Sequence, residues 1–171
     1  QIYDLLKEAG KDLGLRDAGM QTLNSLRLEK AYRDFGLDVD NTDNPIEAGL
    51  GFAVKLDKPG GFIGRDALAA IKEKGVPNTR MLQFLLQDPE PLLYGNELIY
   101  LDGREVGYMQ IGGYGHTLGG AVGIGFAELD KPLTAVIVKT SNWEVDVAGE
   151  RHLATASLRP LFDPMMERIK C

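Results

Sequence analysis

The sequence predicts an α+β chain, in which the C-terminal part of a mixed α+β domain is followed by a small antiparallel β-barrel. Two observations predict this class. Apolar residues recur at helical spacing in the first part of the chain, and the period changes to two just beyond Val76. The dipeptide Asp102-Gly103 between two alternating runs is a strong hairpin signal. We therefore expect one domain over residues 1–76 and a barrel domain over residues 77–171.

Two of the helices expected in the first part are straightforward. Apolar positions at helical spacing cover residues 2–13 and 66–74, and Gly75 is suited to end the second of these helices. The stretch 46–56 runs from a turn into an apolar segment, which predicts a strand.

The helix between these two is expected to continue as far as Phe35. It carries an apolar stripe and a C-capping Gly36, with three candidates for its N-cap. The stripe consists of Leu28, Ala31, Tyr32 and Phe35, and the N-cap candidates are Thr22, Asn24 and Ser25.

Short alternating segments in the second part have the spacing of an all-β barrel or sandwich. Trp143, which lies in one of them, is expected to be a core residue. The glycine-rich run 112–120 lacks the third glycine of a dinucleotide-binding loop and the Gly-Lys-Ser/Thr of a P-loop, so it predicts a turn between two strands. The predicted strands are residues 80–87, 97–101, 105–111, 122–126, 134–139, 143–147 and 152–158.

Composition excludes several classes of function. The chain has 19 Lys and Arg against 25 Asp and Glu, a net charge of -6, and no basic stripe, so nucleic acid is not an expected partner. No apolar run is long enough to span a bilayer, and no membrane partner is expected. The single cysteine, Cys171, cannot form an intrachain disulfide, and neither His116 nor His152 has partners at metal-ligand spacing. The residues from Gln1 onward look like the inside of a helix, which suggests a piece of a longer protein.

One carboxylate is out of place. Glu29 lies between apolar residues on two sides of its helix, where an unpaired charge would cost several kcal/mol. It therefore needs a cation, a set of N–H donors or a ligand that supplies them. The alternative is an ion pair with Arg33 on the helix surface, which contributes about 0.2–0.5 kcal/mol.

Four motifs in order resemble one family. They are Leu26 to Arg33, Asn44 to Leu50, Val54 to Leu56, and Phe62 to Leu68. They resemble the C-terminal, folate-binding region of the glycine cleavage T-protein family, in the form fused to sarcosine and dimethylglycine dehydrogenases. The hairpin at Asp102-Gly103 and the tail 158–164 are similar to the barrel that ends such proteins.

The resemblance implies a ligand and a division of labour. Arg27, Leu28 and Glu29 would lie against tetrahydrofolate, with Glu29 on the pterin, and Lys58 falls near a position where T-proteins use an arginine. An FAD domain and the first half of the folate domain would precede Gln1, and the FAD domain would oxidise a small N-methyl amine. The folate domain would then capture the one-carbon unit. The chain itself would hold no catalytic residue and would be inactive alone. The protein would be located in the bacterial cytoplasm or the mitochondrial matrix.

Two alternatives remain open at this point. The chain could be a non-catalytic module that packs against a catalytic partner, which is favoured by Met20 at a position where the family usually has tyrosine. It could also be part of a stand-alone aminomethyltransferase or demethylase without a flavin domain.

Overall fold

The computed structural model describes residues 1–170, so the predictions about Cys171 lie outside the described residues. Three helices come first: α1 (Ile2–Gly10), continued by a 3-10 turn at Lys11–Leu13, then α2 (Met20–Glu29) and α3 (Arg65–Glu73). The other helical segments are α4 (Ala135–Thr140) and 3-10 turns at Gly51–Ala53 and Glu167–Ile169. The strands are β1 (Thr79–Leu86), β2 (Leu98–Leu101), β3 (Arg104–Gly115), β4 (Gly120–Glu128), β5 (Trp143–Val147) and β6 (Glu150–Ser157).

The six strands close into an antiparallel barrel in the order β1-β4-β3-β2-β5-β6. Hairpins join β2 to β3, β3 to β4 and β5 to β6, and β1 closes the barrel between β4 and β6. Asp102 and Gly103 form the predicted β2–β3 turn, with φ of 50° and 82°. The α+β class and the antiparallel barrel are therefore confirmed.

Strand β1 is apolar on both faces, and the structure gives each face its own core. Leu82 and Phe84 point into the barrel, where Phe84 makes an edge-to-face contact with Trp143 at 5.5 Å. Met81 and Leu85 point outward, into a second core that lies beneath α2. The end of α2 thus packs against the outer face of the barrel wall. Trp143 is a core residue, as the sequence predicts.

Two predicted strands are wrong. Residues 46–56 form turns and the 3-10 turn at Gly51–Ala53, because the Asn44 side chain accepts from the Ile46 and Glu47 amides, at 3.1 and 3.0 Å, and holds the start of this segment in a turn. Residues 134–139 are predicted as a strand, yet α4 covers most of them. Thr134 caps this helix by accepting a hydrogen bond from the Ile137 amide at 3.3 Å, and Val138 packs into the barrel core. Tertiary packing overrides the β-propensity of the run Ala135 to Val138.

The N-terminal helices expose a large apolar surface. Helix α1 has no buried residue, and Leu5 and Leu6 are 71% and 60% exposed. On α2, Met20, Leu23 and Leu26 are also exposed. None of the helices in the described part of the chain combines the length and apolarity needed to cross a membrane.

Candidate functional site

The C-terminal end of α2 is built by a Schellman motif, which corrects the predicted course of this helix. The Tyr32 amide donates to the Arg27 carbonyl at 3.1 Å, and the Ala31 amide donates to the Leu28 carbonyl at 3.0 Å. Ala31 is left-handed, with φ of 51°, in the position where glycine is usual. The helix therefore ends at Glu29, and Phe35 lies outside it and is exposed.

The start of α2 also differs from the prediction. Its N-cap is Gly19, whereas Thr22, Asn24 and Ser25 all lie inside the helix. Ser25 instead donates from its hydroxyl to the Tyr114 carbonyl at 2.7 Å, and thus ties the helix to strand β3.

A buried glutamine fastens the end of α2 to the barrel. Gln83, on β1, donates from Nε2 to the carbonyls of Leu28 at 2.6 Å and Glu29 at 3.1 Å. Its Oε1 accepts from the Leu161 amide at 2.7 Å, which brings the C-terminal tail to the same place. One side chain therefore joins three segments that are distant in sequence, and two of its bonds go to carbonyls at the end of a helix.

The Glu29 carboxylate is buried against the turn between β3 and β4. Glu29 is 1% exposed, and its Oε1 accepts from the backbone amides of Thr117 at 2.6 Å and Leu118 at 3.1 Å. Oε2 accepts no hydrogen bond from the described residues.

The expected alternative, an ion pair between Glu29 and Arg33, is wrong. Because α2 ends at Glu29, Arg33 is not one helical turn further along it. The Arg33 guanidinium instead donates to the carbonyls of Ala48, at 3.0 Å, and Ala31. Burial lowers the pKa of Arg33, and the nearby Asp38 carboxylate acts in the opposite direction.

Glycines in β3 make room for the end of α2. A Cβ at Gly113 would lie 2.9 Å from Leu28 Cδ1, and a Cβ at Gly115 would lie 3.2 Å from Glu29 Oε1. The predicted turn between two strands is present at residues 116–119, but the flanking glycines belong to β3 and β4. The glycines of residues 112–120 are therefore needed both for the turn and for the close approach of α2 to β3.

Arg27 points to the other side of α2. Its Nη1 donates to the Tyr32 carbonyl at 2.8 Å and pairs with Asp38, whose side chain is fully buried. Arg27 Nε, Arg27 Nη2 and Asp38 Oδ1 are enclosed without a hydrogen-bond partner among the described residues. Arg27 also lines an apolar groove of about 450 Å³ with Met20 and Leu23.

Lys58 lies in a separate groove. That groove, of about 810 Å³, is lined by residues 53–55, 57–59 and 62 together with Pro45 and Leu68. Leu28 is 1% exposed and packs in the core beneath α2. The structure thus brings Arg27, Leu28 and Glu29 together along the chain but turns them to different surroundings, and Lys58 lines a different groove from Arg27.

Sequence reasoning missed three parts of this site: Gln83, Asp38 and the amides of residues 117–118. A glutamine inside an apolar strand was the available signal for Gln83, since a buried polar side chain needs partners. Nothing in the local pattern links residues 117–118 to Glu29, because 88 residues separate the Thr117 donor from its acceptor.

Fold and site together define a class: an antiparallel six-stranded barrel that carries, on its outer wall, the end of a helix with a buried carboxylate. Comparison with known families agrees. The family described as "GCVT N-terminal domain" matches residues 1–58. The family described as "Glycine cleavage T-protein C-terminal barrel domain" matches residues 80–163. The chain belongs to the glycine cleavage T-protein family.

The relatives are much longer than this chain. It is 43% identical over 169 residues to 4-methylaminobutanoate oxidase (formaldehyde-forming) of Paenarthrobacter nicotinovorans, and covers 20% of that protein with 99% of its own length. It is 35% identical to the mitochondrial dimethylglycine dehydrogenase of Homo sapiens, of which it covers 19%, again with 99% of its own length. The chain thus spans about a fifth of these relatives.

A solved structure supports the fold. The glycine cleavage system aminomethyltransferase T of Bartonella henselae superposes with a TM-score of 0.75 at 21% identity. The match covers 95% of this chain and 44% of the other.

Proposed function

We propose that this chain forms part of a tetrahydrofolate site in an oxidoreductase that acts on a small N-methyl amine. The single observation that carries the proposal is the state of the Glu29 carboxylate, which is buried, is held through Oε1, and accepts no hydrogen bond at Oε2 from the described residues. When bound, tetrahydrofolate would supply the amine nitrogens that take up a one-carbon unit.

The donor chemistry of a pterin suits this carboxylate. A pterin edge presents N–H groups, and a carboxylate oxygen accepts them as charge-assisted hydrogen bonds. Because Oε1 already accepts two amides, the ligand would donate to Oε2. Glu29 would therefore recognise and orient the ring while its own position is set by the barrel.

Arg27 would act on the folate through its surroundings. Its guanidinium is engaged by Asp38 and the Tyr32 carbonyl, so it shapes the loop that follows α2. The groove that it lines would carry an apolar part of the ligand. Lys58 would contribute a cation for a carboxylate at the far end of the folate, since its groove lies apart from that of Arg27.

The oxidoreductase part of the proposal rests on the relatives. Their names describe oxidation of N-methylated amines, and the chain spans about a fifth of their length. We propose that an FAD domain and the first half of the folate domain precede this region, and that they cover the exposed apolar faces of α1 and α2. The polypeptide would work in the bacterial cytoplasm or the mitochondrial matrix.

Calorimetric titration with tetrahydrofolate tests the proposal on the full polypeptide that contains this chain. Glu29→Gln keeps the Oε1 acceptor but replaces Oε2 by a donor, so we expect an affinity loss of about tenfold or more. Glu73→Gln, on the exposed surface of α3, is the matched control. Equal affinity of wild type and Glu29→Gln for tetrahydrofolate would contradict the proposed role of Glu29 in folate binding. Sarcosine oxidation by residues 1–171 alone would contradict the division of labour.

A second candidate is a non-catalytic packing module. It is favoured by the intramolecular surroundings of the three motif residues, since Arg27 pairs with Asp38, Leu28 is in the core and Glu29 holds two amides. In that case the full polypeptide would not bind tetrahydrofolate. Glu29→Ala would then change stability alone.

A further inference from the structure

The turn between β3 and β4 lies close to Glu29, although it belongs to the barrel. We propose that this turn, residues 116–119, is a positioning element of the folate site, which fixes the direction in which Glu29 presents Oε2. This inference rests on the proposed function of Glu29. It assigns the barrel a part in ligand recognition in addition to its structural part.

The turn offers two converging donors. The Thr117 and Leu118 amides both point at Oε1, at 2.6 and 3.1 Å. The turn is closed by a hydrogen bond of 2.7 Å from the Gly119 amide to the Gly115 carbonyl, and Gly119 has φ of 76°. Two consecutive amides on one carboxylate oxygen occupy both of its lone pairs.

The strand before the turn is shaped for this contact. Gly115 is buried, and a Cβ there would lie 3.2 Å from Glu29 Oε1, 3.3 Å from Glu29 Cγ and 3.2 Å from Val122 Cγ1. These distances are tighter than ordinary van der Waals contacts, so either the carboxylate or the Val122 side chain would have to move. A side chain at this position therefore crowds the Glu29 carboxylate where it accepts from the two amides.

The end of α2 is fixed independently of the turn. Gln83 holds the Leu28 and Glu29 carbonyls, so the backbone of Glu29 is anchored to β1. With the backbone anchored at one end and Oε1 at the other, the carboxylate plane is set before a ligand arrives. Oε2 is then pre-oriented, which lowers the ordering cost of ligand binding.

Proline at position 117 is the sharpest perturbation, because it removes the amide hydrogen and leaves the Glu29 side chain intact. In the full polypeptide, we expect Thr117→Pro to weaken tetrahydrofolate binding about tenfold, the order of one charge-assisted hydrogen bond. Thr117→Ala restores the N–H at the same position and should restore the affinity. The Thr117 side chain is exposed, and no side-chain hydrogen bond is found for it among the described residues.

Gly115→Ala is a second, independent variant, for use where proline prevents folding. It keeps both amides but pushes on the carboxylate, so it should also weaken binding. Gly51→Ala is its matched control, because Gly51 has ordinary φ and no atom within 4 Å of an added Cβ.

A readout specific to positioning is the amide resonances of Thr117 and Leu118. Tetrahydrofolate should shift both in the wild type and neither in Glu29→Ala.

The outcomes separate the two claims. If Glu29→Gln weakens binding while folded Thr117→Pro and Gly115→Ala bind as the wild type does, the positioning role is overturned and the folate role stands. If Glu29→Gln also leaves the affinity unchanged, the proposed function itself is overturned. Weakening by all three, with recovery in Thr117→Ala, supports the inference.

Discussion

Replacing Gln83 by leucine removes the side chain that joins α2, the barrel and the C-terminal tail. Three hydrogen bonds are lost, to the Leu28 carbonyl, the Glu29 carbonyl and the Leu161 amide, at 2.6, 3.1 and 2.7 Å. Leucine has a similar volume, so the perturbation is mainly the loss of polar partners. Gln83 is 1% exposed, and water cannot readily take its place.

The magnitude follows from which groups keep a partner. The Leu28 carbonyl still accepts from the Ala31 amide at 3.0 Å, and the Glu29 carbonyl keeps a long contact of 3.4 Å with the Phe162 amide. For these two, only the net value of a hydrogen bond is lost, about 0.5–1.5 kcal/mol each. The Leu161 amide loses the one partner found for it in the described chain, which costs about 1–3 kcal/mol. The sum is a loss of about 2–6 kcal/mol in the free energy of unfolding, with a midpoint of about 4 kcal/mol.

Urea unfolding followed by circular dichroism measures this loss. In a thermal melt, a chain of this size should lose about 8–16 °C in Tm for about 4 kcal/mol. Gln87→Leu is the matched control, because Gln87 is exposed just beyond the end of β1 and should change stability by less than about 0.5 kcal/mol. A Gln83→Leu protein within about 0.5 kcal/mol of wild type would refute the assignment of Gln83 as the joining residue.

Three further predictions concern buried charges and the barrel core. Asp38→Ala leaves the Arg27 guanidinium buried without its partner, so the free energy of unfolding should fall by about 3–5 kcal/mol in urea titrations. A loss below about 1 kcal/mol would contradict this. Burial acts to raise the pKa of Asp163, but a backbone amide of the following 3-10 turn and the Lys30 ammonium together hold it below its ordinary 3.8. The stability that Asp163 contributes is therefore present above its unfolded pKa and is lost as the pH falls through its folded pKa. NMR titration of wild type and Lys30→Met should show a higher Asp163 pKa in the variant, and an unchanged value would contradict the pair. Trp143→Phe should lower the free energy of unfolding in urea by about 1–2 kcal/mol, because the hydrogen bond of 3.0 Å from the indole N–H to a carbonyl of α4 is lost. An unchanged free energy of unfolding would contradict a stabilising role for this hydrogen bond.

The barrel was predictable because strands have a simple period. Alternation in β3 and β5 and the turn signal at Asp102 located those strands. The same reasoning failed at residues 134–139, because a β-branched run can be helical when Thr134 caps it and Val138 is buried. Local propensity cannot weigh a buried contact that forms only in the folded chain.

The end of α2 could not be located for a different reason. The apolar stripe from Leu28 to Phe35 has a helical period, but Ala31 takes a left-handed conformation that the sequence does not predict. The prediction that the Glu29 carboxylate needs partners was right, since it is buried and two backbone amides donate to it. Which donors satisfy it depends on the β3–β4 register, in which Gly115 pairs with Gly120 and the intervening turn faces the helix.

A structure of the full polypeptide with bound tetrahydrofolate tests the central claim most directly. The account predicts a pterin N–H within about 2.7–3.2 Å of Glu29 Oε2. It also predicts that Oε1 still accepts from the Thr117 and Leu118 amides. A folate bound elsewhere, or bound with Oε2 touching no ligand donor, would contradict the account.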